Sequence, residues 1–317
     1  MHLAWDIAAL QLALAMLLDV VIGEYPNFMH PVVWIGKTVK AVLLLAPSSR
    51  WWAQFLFGIV MVAIVGTMTG GATFCIMYSA KNSYLGEIVI GAVLLKASFA
   101  LCELGRAAFR VVRPLQEHDL GRAREALRSL CSRDPADFEA KQLLEATVES
   151  LAENASDSFV APVFYFVLFG VPGAMVYRAI NTMDSMIGYR GKYEALGKAA
   201  ARLDDVVNWI PARLAAGLLL FVGWMCGYSL ADGWRIMRRD GAKTPSPNGG
   251  RPMAAMAGLL GVRLEKKDVY VLGDPVNELT TDTVRSAWKL VVGMGMAMLT
   301  LAFAFCALGY CSWFSHD

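Results

Sequence analysis

The chain has 317 residues, 56% of them hydrophobic and 18% charged, with a mean hydropathy of +0.46. A soluble protein carries about a quarter charged residues, so this apolar excess calls for a bilayer and excludes disorder, a collagen-like fibre and a small disulfide scaffold. The 29 basic and 27 acidic side chains leave a net charge of +2. That balance argues against nucleic acid as a partner, and six cysteines without CxxC or CxH spacing read as packing residues.

In chain order, Trp5 to Ile22 is apolar apart from Asp6 and Asp19, and no Lys or Arg precedes it as in a secretory signal. It predicts an uncleaved first membrane helix. Trp51 to Ala80 and Leu290 to His316 run uncharged beyond the roughly 20 residues a span requires. The first of these carries Gly66-Thr-Met-Thr-Gly70, which would let a second helix approach closely. Ile88 to Val112 predicts another span, with Lys96, Glu103 and Arg110 on one face. That face either lines an interior, or Glu103 pairs within the helix with Arg106 or Arg110. Two further apolar runs are ambiguous: 159–180, interrupted by Pro162, Gly170, Pro172 and Gly173, and 209–231, which opens with Pro211 and Arg213. Either crosses fully or is broken or re-entrant. The expected fold is all-α and polytopic, with four spans (5–22, 51–80, 88–112 and 290–314), two broken or re-entrant segments, and no sheet beyond a hairpin. Lys37, Lys40 and Arg50 put the connection 23–50 in the cytoplasm, which puts 81–86 outside and 113–158 inside.

The polar segments 113–158, 181–208 and 232–288 carry the chemistry. Helical spacing predicts a helix over 119–131 and a second that starts with Asp134 as N-cap and Pro135 at its first position. Along the second run Glu145, Glu149, Glu153 and Asp157, each four residues from the last. Such a row is either a solvated helix face or a site whose mutual repulsion a magnesium ion or basic neighbours relieve. Next, Arg178, Asn181, Asp184 and Ser185 share a face ahead of Gly188, Tyr189 and Arg190. Arg202, Asp204, Asp205, Asn208 and Arg213 follow. This mixture suits phosphate on arginine and magnesium on aspartate, or else a structural network between helices. Lys243-Thr-Pro-Ser246-Pro-Asn248-Gly-Gly250 predicts a rigid loop, either a simple connector or a cradle of amides for an anion. No P-loop, GxGxxG after a strand, HExxH or GxSxG occurs.

Taken together, these motifs resemble the CobD/CbiB membrane proteins of cobalamin biosynthesis. The similarity is collinear through Asp19-Val-Val-Ile-Gly23, His30-Pro31-Val-Val-Trp-Ile-Gly36, Glu149-Ser-Leu-Ala-Glu153-Asn154-Ala-Ser-Asp157 and Arg178-Ala-Ile-Asn181-Thr-Met-Asp184-Ser-Met-Ile-Gly188-Tyr189. It continues through Ala201-Arg202-Leu-Asp204-Asp205 to Asn208, Pro211-Ala-Arg213, Pro245-Ser246-Pro-Asn248 and Ala257-Gly-Leu-Leu-Gly261. Two positions depart from the family pattern: Glu24 stands where Asp is usual, and Thr244 where His is usual.

The resemblance implies a single membrane domain over 1–317. It also implies ATP-dependent amide formation joining aminopropanol or its phosphate to a propionate carboxylate of adenosylcobyric acid, a corrinoid. ATP and Mg2+ would be co-substrate and metal, with no tightly bound prosthetic group. Glu149, Glu153, Asp157, Asp184 and Asp205 are the expected catalytic carboxylates, and Asp184, Asp204 and Asp205 the expected metal ligands. His30, Asn154, Arg178, Asn181, Tyr189, Arg202, Asn208, Arg213, Lys243, Ser246 and Asn248 are the expected substrate and phosphate contacts. The implied location is the cytoplasmic (inner) membrane with the site facing the cytoplasm. A homo-oligomer, or association with other cobalamin-pathway proteins, is compatible with it. The competing readings are a non-catalytic AmpE-like sensor and a transporter, whose substrate path would also use charged broken helices.

Overall fold

A computed structural model of the chain describes residues 2–48, 50–131, 133–189, 191 and 193–308. The helices, in order, are α1 His2–Val21, α2 Pro31–Leu43, α3 Trp51–Ala80, α4 Tyr84–Ser98, α5 Leu101–Gln116, α6 Leu120–Leu127 and α7 Ala140–Ala155. After a π-helical turn at Ser156–Val160 come α8 Ala161–Ile187, α9 Glu194–Val207, α10 Trp209–Met225, α11 Leu230–Asp240 and α12 Gly250–Leu260. Strands β1 Leu264–Lys266 and β2 Tyr270–Leu272 pair antiparallel, Leu264 opposite Leu272, before α13 Thr281–Ala307. Among the described residues this hairpin is the only sheet, as the sequence predicts.

Four helical stretches are long and apolar enough to cross a membrane: Trp51–Ala80, Tyr84–Gln116, Ala140–Ile187 and Thr281–Ala307. The pair α9–α10 makes a fifth only if counted as one span broken at Asn208. The expected first span forms a helix, α1, whose described apolar part is Ile7–Val21. The last span begins earlier than expected, at Thr281, and the expected positions 309–314 lie outside the described residues. Helix α3 shows why a bilayer is needed. It has no charged residue, yet Leu56, Ile59, Val60, Ile64, Met68, Phe74 and Ile76 are exposed along it. Exposed Trp51 and Trp52 at one end and Tyr78 near the other match interfacial aromatic belts.

The chain divides into two compact units, each assembled from non-consecutive stretches. One takes in Met1–Ala100, Ala161–Asn208 and the chain from Leu301 on. Within it α3 packs on α8 and α9, and α1 on α4. Gly58 lets α3 approach α9: a Cβ there would lie 2.1 Å from the carbonyl oxygen of Leu196. Of the GxxxG pair only Gly70 serves such an approach, against Val176 of α8, while Gly66 faces nothing. The ambiguous run 159–180 is indeed broken. Phe169 and Gly170 leave the helical region, Gly170 at φ 64° and ψ −163°, a conformation open essentially to glycine. The tightest approach is at Gly197, where a Cβ would stand 1.8 Å from the Ile187 carbonyl oxygen. Gly197→Ala is therefore expected to cost about 1–3 kcal/mol through displacement of α9 from the end of α8. A lowered Tm of the detergent-solubilised variant checks this; an unchanged Tm refutes the close approach.

The other unit takes in Leu101–Val160 and Trp209–Thr300. The helix expected over 119–131 is α6, shorter at its end, and Asp119 caps it, its Oδ1 accepting from Arg122 N. The next helix does not begin at Asp134. Asp134 Oδ1 accepts from Ala136 N in a turn, and α7 starts at Ala140, where Gln142 Oε1 accepts from Glu139 N. A reciprocal capping box at 139–142 thus displaces the Asp-Pro signal by five positions. Helices α11 and α12 are in contact backbone to backbone, a Cβ at Gly258 meeting Gly233 Cα at 2.8 Å. Gly261, in the left-handed region at φ 64°, ends α12.

The expected single helix over 88–112 is two. Phe99 is extended, its carbonyl accepts from Lys96 Nζ at 3.2 Å, and α5 starts afresh at Leu101. Glu103 pairs with Arg110 at 2.6 Å and more distantly with Arg106, so the local ion-pair reading holds for that part of the run. Lys96, by contrast, is fully buried.

Candidate functional site

The first unit holds the densest network of expected site residues. At the end of α8, Arg178 Nη1 donates to Asn181 Oδ1 at 3.2 Å, and Asn181 Nδ2 donates to Asp204 Oδ1 at 3.4 Å. From the other side Asn208 Nδ2 donates to Asp204 Oδ2 at 2.9 Å, while its Oδ1 accepts from Tyr177 OH at 2.8 Å. Tyr177 is buried and stacked on Tyr165, ring centroids 5.2 Å apart, and Tyr165 OH donates to Val207 O. Donors at both ends of the chain orient each amide, and both oxygens of Asp204 are held by them. Asp184, Asp204 and Asp205 lie close enough to feel one another's charge. Gly188 leaves the Asp184 carboxylate its space, since a Cβ there would fall 2.0 Å from Asp184 Oδ1. Arg202 offers Asp205 only a 3.9 Å contact from a side chain 76% exposed, which offsets little of this charge. Tyr189 is exposed at the edge of the cluster, and Arg190 lies outside the described residues.

Among the described residues no three His, Cys, Asp or Glu side chains form a closed metal site. A magnesium ion delivered on a nucleotide needs less than that, one or two carboxylates besides the phosphates. Three mutually repelling carboxylates fit such a cation, or an ammonium group, by charge and by donor type.

His30 lies elsewhere in the same unit. Its Nδ1 accepts from Val32 N as the cap of α2, which leaves the proton on Nε2, 2.8 Å from Glu24 Oε2. Both ring nitrogens are thereby engaged within the protein. Glu24 Oε1 reaches Lys96 Nζ at 3.1 Å, and buried Asp19 does so at the same distance. Burial would push the Glu24 carboxyl up, but the His30 hydrogen bond and the Lys96 charge overcome it and hold it below its ordinary value. The departure from Asp to Glu at position 24 keeps the carboxylate that both partners use.

The second unit places the remaining expected residues. Glu145 and Glu149 are buried, so the solvated-face reading fails for them. Basic neighbours relieve their repulsion: Arg133 pairs with Glu149, and Lys141 stands 4.0 Å from Glu145. Glu153 lies against Gly249, where a Cβ would meet its Oε1 at 2.6 Å. Asn154 Nδ2 donates to Leu130 O, and its carbonyl accepts from Ser158 Oγ in the π-helical turn that also contains Asp157. Insertions of this kind interrupt the four-residue spacing and recur at functional sites. Arg213 Nη1 donates to Asn248 Oδ1 at 3.1 Å and to Trp209 O at 2.7 Å, its guanidinium 4.3 Å over the Trp209 ring. In the loop, Thr244 Oγ1 donates to Ser246 O and Ser246 Oγ accepts from Asn248 N. Thr244 thus braces the loop where the family pattern has His. Lys243 is held by buried Asp240 at 2.5 Å, with Arg239 on the same carboxylate.

A family model described as "CobD/Cbib protein" matches residues 12–302. The chain belongs to the CobD/CbiB family. A cobalamin biosynthesis protein CobD from Dehalococcoides mccartyi is 44% identical over 284 residues, 89% of this chain and 92% of the relative. A probable cobalamin biosynthesis protein CobD from Methanothermobacter thermautotrophicus is 39% identical over 92% of this chain and 96% of its own length. The Klebsiella pneumoniae cobalamin biosynthesis protein CobD is 37% identical, with 90% and 92% covered. No solved structure matches the chain. Every CobD/CbiB motif quoted above falls inside the matched range, and both units contribute to them.

Residues without a sequence signal complete the picture. Tyr165 and Tyr177 sit in an apolar helix where aromatic residues pass for packing, and Arg133 and Arg251 belong to no periodic face. Only the tertiary approach of distant segments sets their surroundings.

Proposed function

We propose that the protein is a cobalamin-biosynthetic membrane enzyme that joins aminopropanol, free or phosphorylated, to a propionate carboxylate of adenosylcobyric acid at the expense of ATP. The observation that carries this reading is membership of the CobD/CbiB family along the whole motif series, together with the Asp184–Asp204–Asp205 cluster and its ordered amides. A carboxylate is unreactive towards amines because oxide is a poor leaving group. Transfer of the nucleotide's γ-phosphoryl group to a carboxylate oxygen gives an acyl phosphate and ADP. The amine then attacks the carbonyl, phosphate departs, and the amine proton passes to a carboxylate of the protein. Asp184 and Asp205 suit the magnesium of the nucleotide or the incoming ammonium, and Asp204 suits general base, its lone pairs aimed by Asn181 and Asn208. Arg178 and Arg213 suit phosphoryl oxygens, because a guanidinium fork stays charged when half-buried.

The AmpE-like sensor is the weaker reading, since sensing alone gives no reason to concentrate three carboxylates around two oriented amides. Incubation of the purified protein with adenosylcobyric acid, each amine in turn and Mg-ATP tests the reaction. A corrinoid heavier by the amine less water is the expected product. The site should open to the cytoplasm, where nucleotide is available. In a background lacking exposed Cys75 and Cys226, cysteines at the exposed positions 189 and 247 should be labelled from the cytoplasmic side. Labelling from the opposite side alone refutes this orientation.

A further inference from the structure

Arg251 lies outside every motif that suggested a function, yet its surroundings are those of a ligand contact. It is the second residue of α12, directly after the loop 243–250, and its backbone N donates to Asn248 O at 3.0 Å. Its stem packs on Gly241, where a Cβ would meet Arg251 Cδ at 3.2 Å. Its Nε is buried with no hydrogen-bond partner. A buried charged donor without an acceptor is costly.

The second observation is Arg213. It arrives from α10, bonds the side chain of the same Asn248, and lies close enough to Arg251 for the two guanidinium charges to repel. Among the described residues neither arginine forms an ion pair with a carboxylate. Two half-buried cations on either side of one asparagine, neither in an ion pair among the described residues, call for an anion. The amides at the start of α12 have no side-chain cap and add donors at the same place.

We propose that Arg213 and Arg251, bridged by Asn248, form a two-guanidinium seat for a phosphoryl group. A phosphate dianion offers three oxygens to planar forks that match them, and it neutralises both charges at once. Lysine would supply charge without the fork. Glu153, against Gly249, places a carboxylate on the flank of the seat. The identification of the phosphoryl group with a substrate rests on the amide-forming reaction above; the anion seat itself does not.

The test measures binding and turnover separately. Wild-type protein in detergent is heated with inorganic phosphate, Mg-ATP or aminopropanol phosphate, against chloride of equal ionic strength. Wild type should show a saturable rise in Tm with at least one of these, Arg251→Gln and Arg213→Gln should lose it, and Arg251→Lys should keep part. No rise in wild type with any of the three, or an equal rise in Arg251→Gln, overturns the seat. If Arg251→Gln does not fold, Arg251→Lys decides: a rise in Kd by about tenfold supports fork recognition, and an unchanged Kd overturns it. In the amide assay, a KM for aminopropanol phosphate raised about tenfold or more, with that for free aminopropanol unchanged, assigns the seat to the monoester. A raised KM for ATP with both amines assigns it to the nucleotide. Phosphate protection through Arg251 in a protein that makes no amide keeps the seat and removes the reaction. Amide formation with every KM unaltered in Arg251→Gln keeps the reaction and removes the seat.

Discussion

Asp184→Asn is expected to lower amide formation about a hundredfold to ten-thousandfold, the span of a lost acid–base or cation-holding group, while the protein folds as well as wild type or better. The two halves of that expectation share one cause. Asp184 is half-buried and faces the charges of Asp204 and Asp205, and Arg202 approaches Asp205 only to 3.9 Å. Asparagine keeps the shape and removes one of the repelling charges, so the protein without its cation gains stability. The same change removes part of the field that a magnesium–nucleotide complex or an ammonium group would need. Activity and stability moving in opposite directions is the mark of a functional site, whereas a structural carboxylate would lose both. Asp205→Asn should move in the same sense. Normal expression and wild-type rates in both variants would overturn the placement of the site at this cluster.

The largest effect on folding is expected at Asp240, in the other unit. Its carboxylate is fully buried and takes Arg239 Nη2 at 2.7 Å, Lys243 Nζ at 2.5 Å and Gly273 N at 2.8 Å, while Arg239 also bridges to Asp274. One side chain thus ties together the end of α11, the start of the loop 243–250 and the segment after β2. Asp240→Asn removes the charge and leaves the two cations facing an amide, at a cost of about 3–5 kcal/mol. The pH dependence follows from the direction of the shift. Burial pushes the carboxyl up, but Arg239, Lys243 and the Gly273 amide outweigh it and hold it at about 2, against 3.8 for an unstructured Asp. A depressed value means that the stabilisation is complete above about pH 4 and is lost as pH falls towards 2; it amounts to about 2 kcal/mol. Thermal unfolding in detergent should show wild type and Asp240→Asn far apart at neutral pH and converging below pH 4. A gap that stays constant down to pH 2 would contradict the ion pairing.

Much of the fold is legible in the residues, for physical reasons that can be named. The break in α8 falls at Gly170 because only glycine adopts that conformation, and Pro172 follows it. The helical spacing of Leu120, Ala123 and Leu127 announces α6, and Asp119 caps it. The interruption at Phe99 carries no such mark: no glycine or proline stands there, and the kink depends on Lys96 reaching Asp19 and Glu24, more than 70 residues earlier. The displaced start of α7 is a contest between two local signals, and the capping box at Glu139 and Gln142 prevails.

The candidate site divides along the same line. Asp184, Asn181 and Arg178 share a helical face, so periodicity alone groups them, and the Asp204–Asn208 spacing adds the second helix. The burial of Glu149 against Arg133 and the company Arg251 keeps with Arg213 are set by loops that bring distant segments together. No spacing in the sequence encodes those meetings.

The proposed coupling of nucleotide cleavage to amide formation on a corrinoid has one direct test. Purified protein supplied with adenosylcobyric acid, aminopropanol phosphate and Mg-ATP should yield the amide and release one equivalent of phosphate per amide formed. Omission of the amine or the nucleotide should abolish the product. A folded protein that binds the corrinoid yet forms no amide with either amine, or that forms amide without nucleotide, would contradict it.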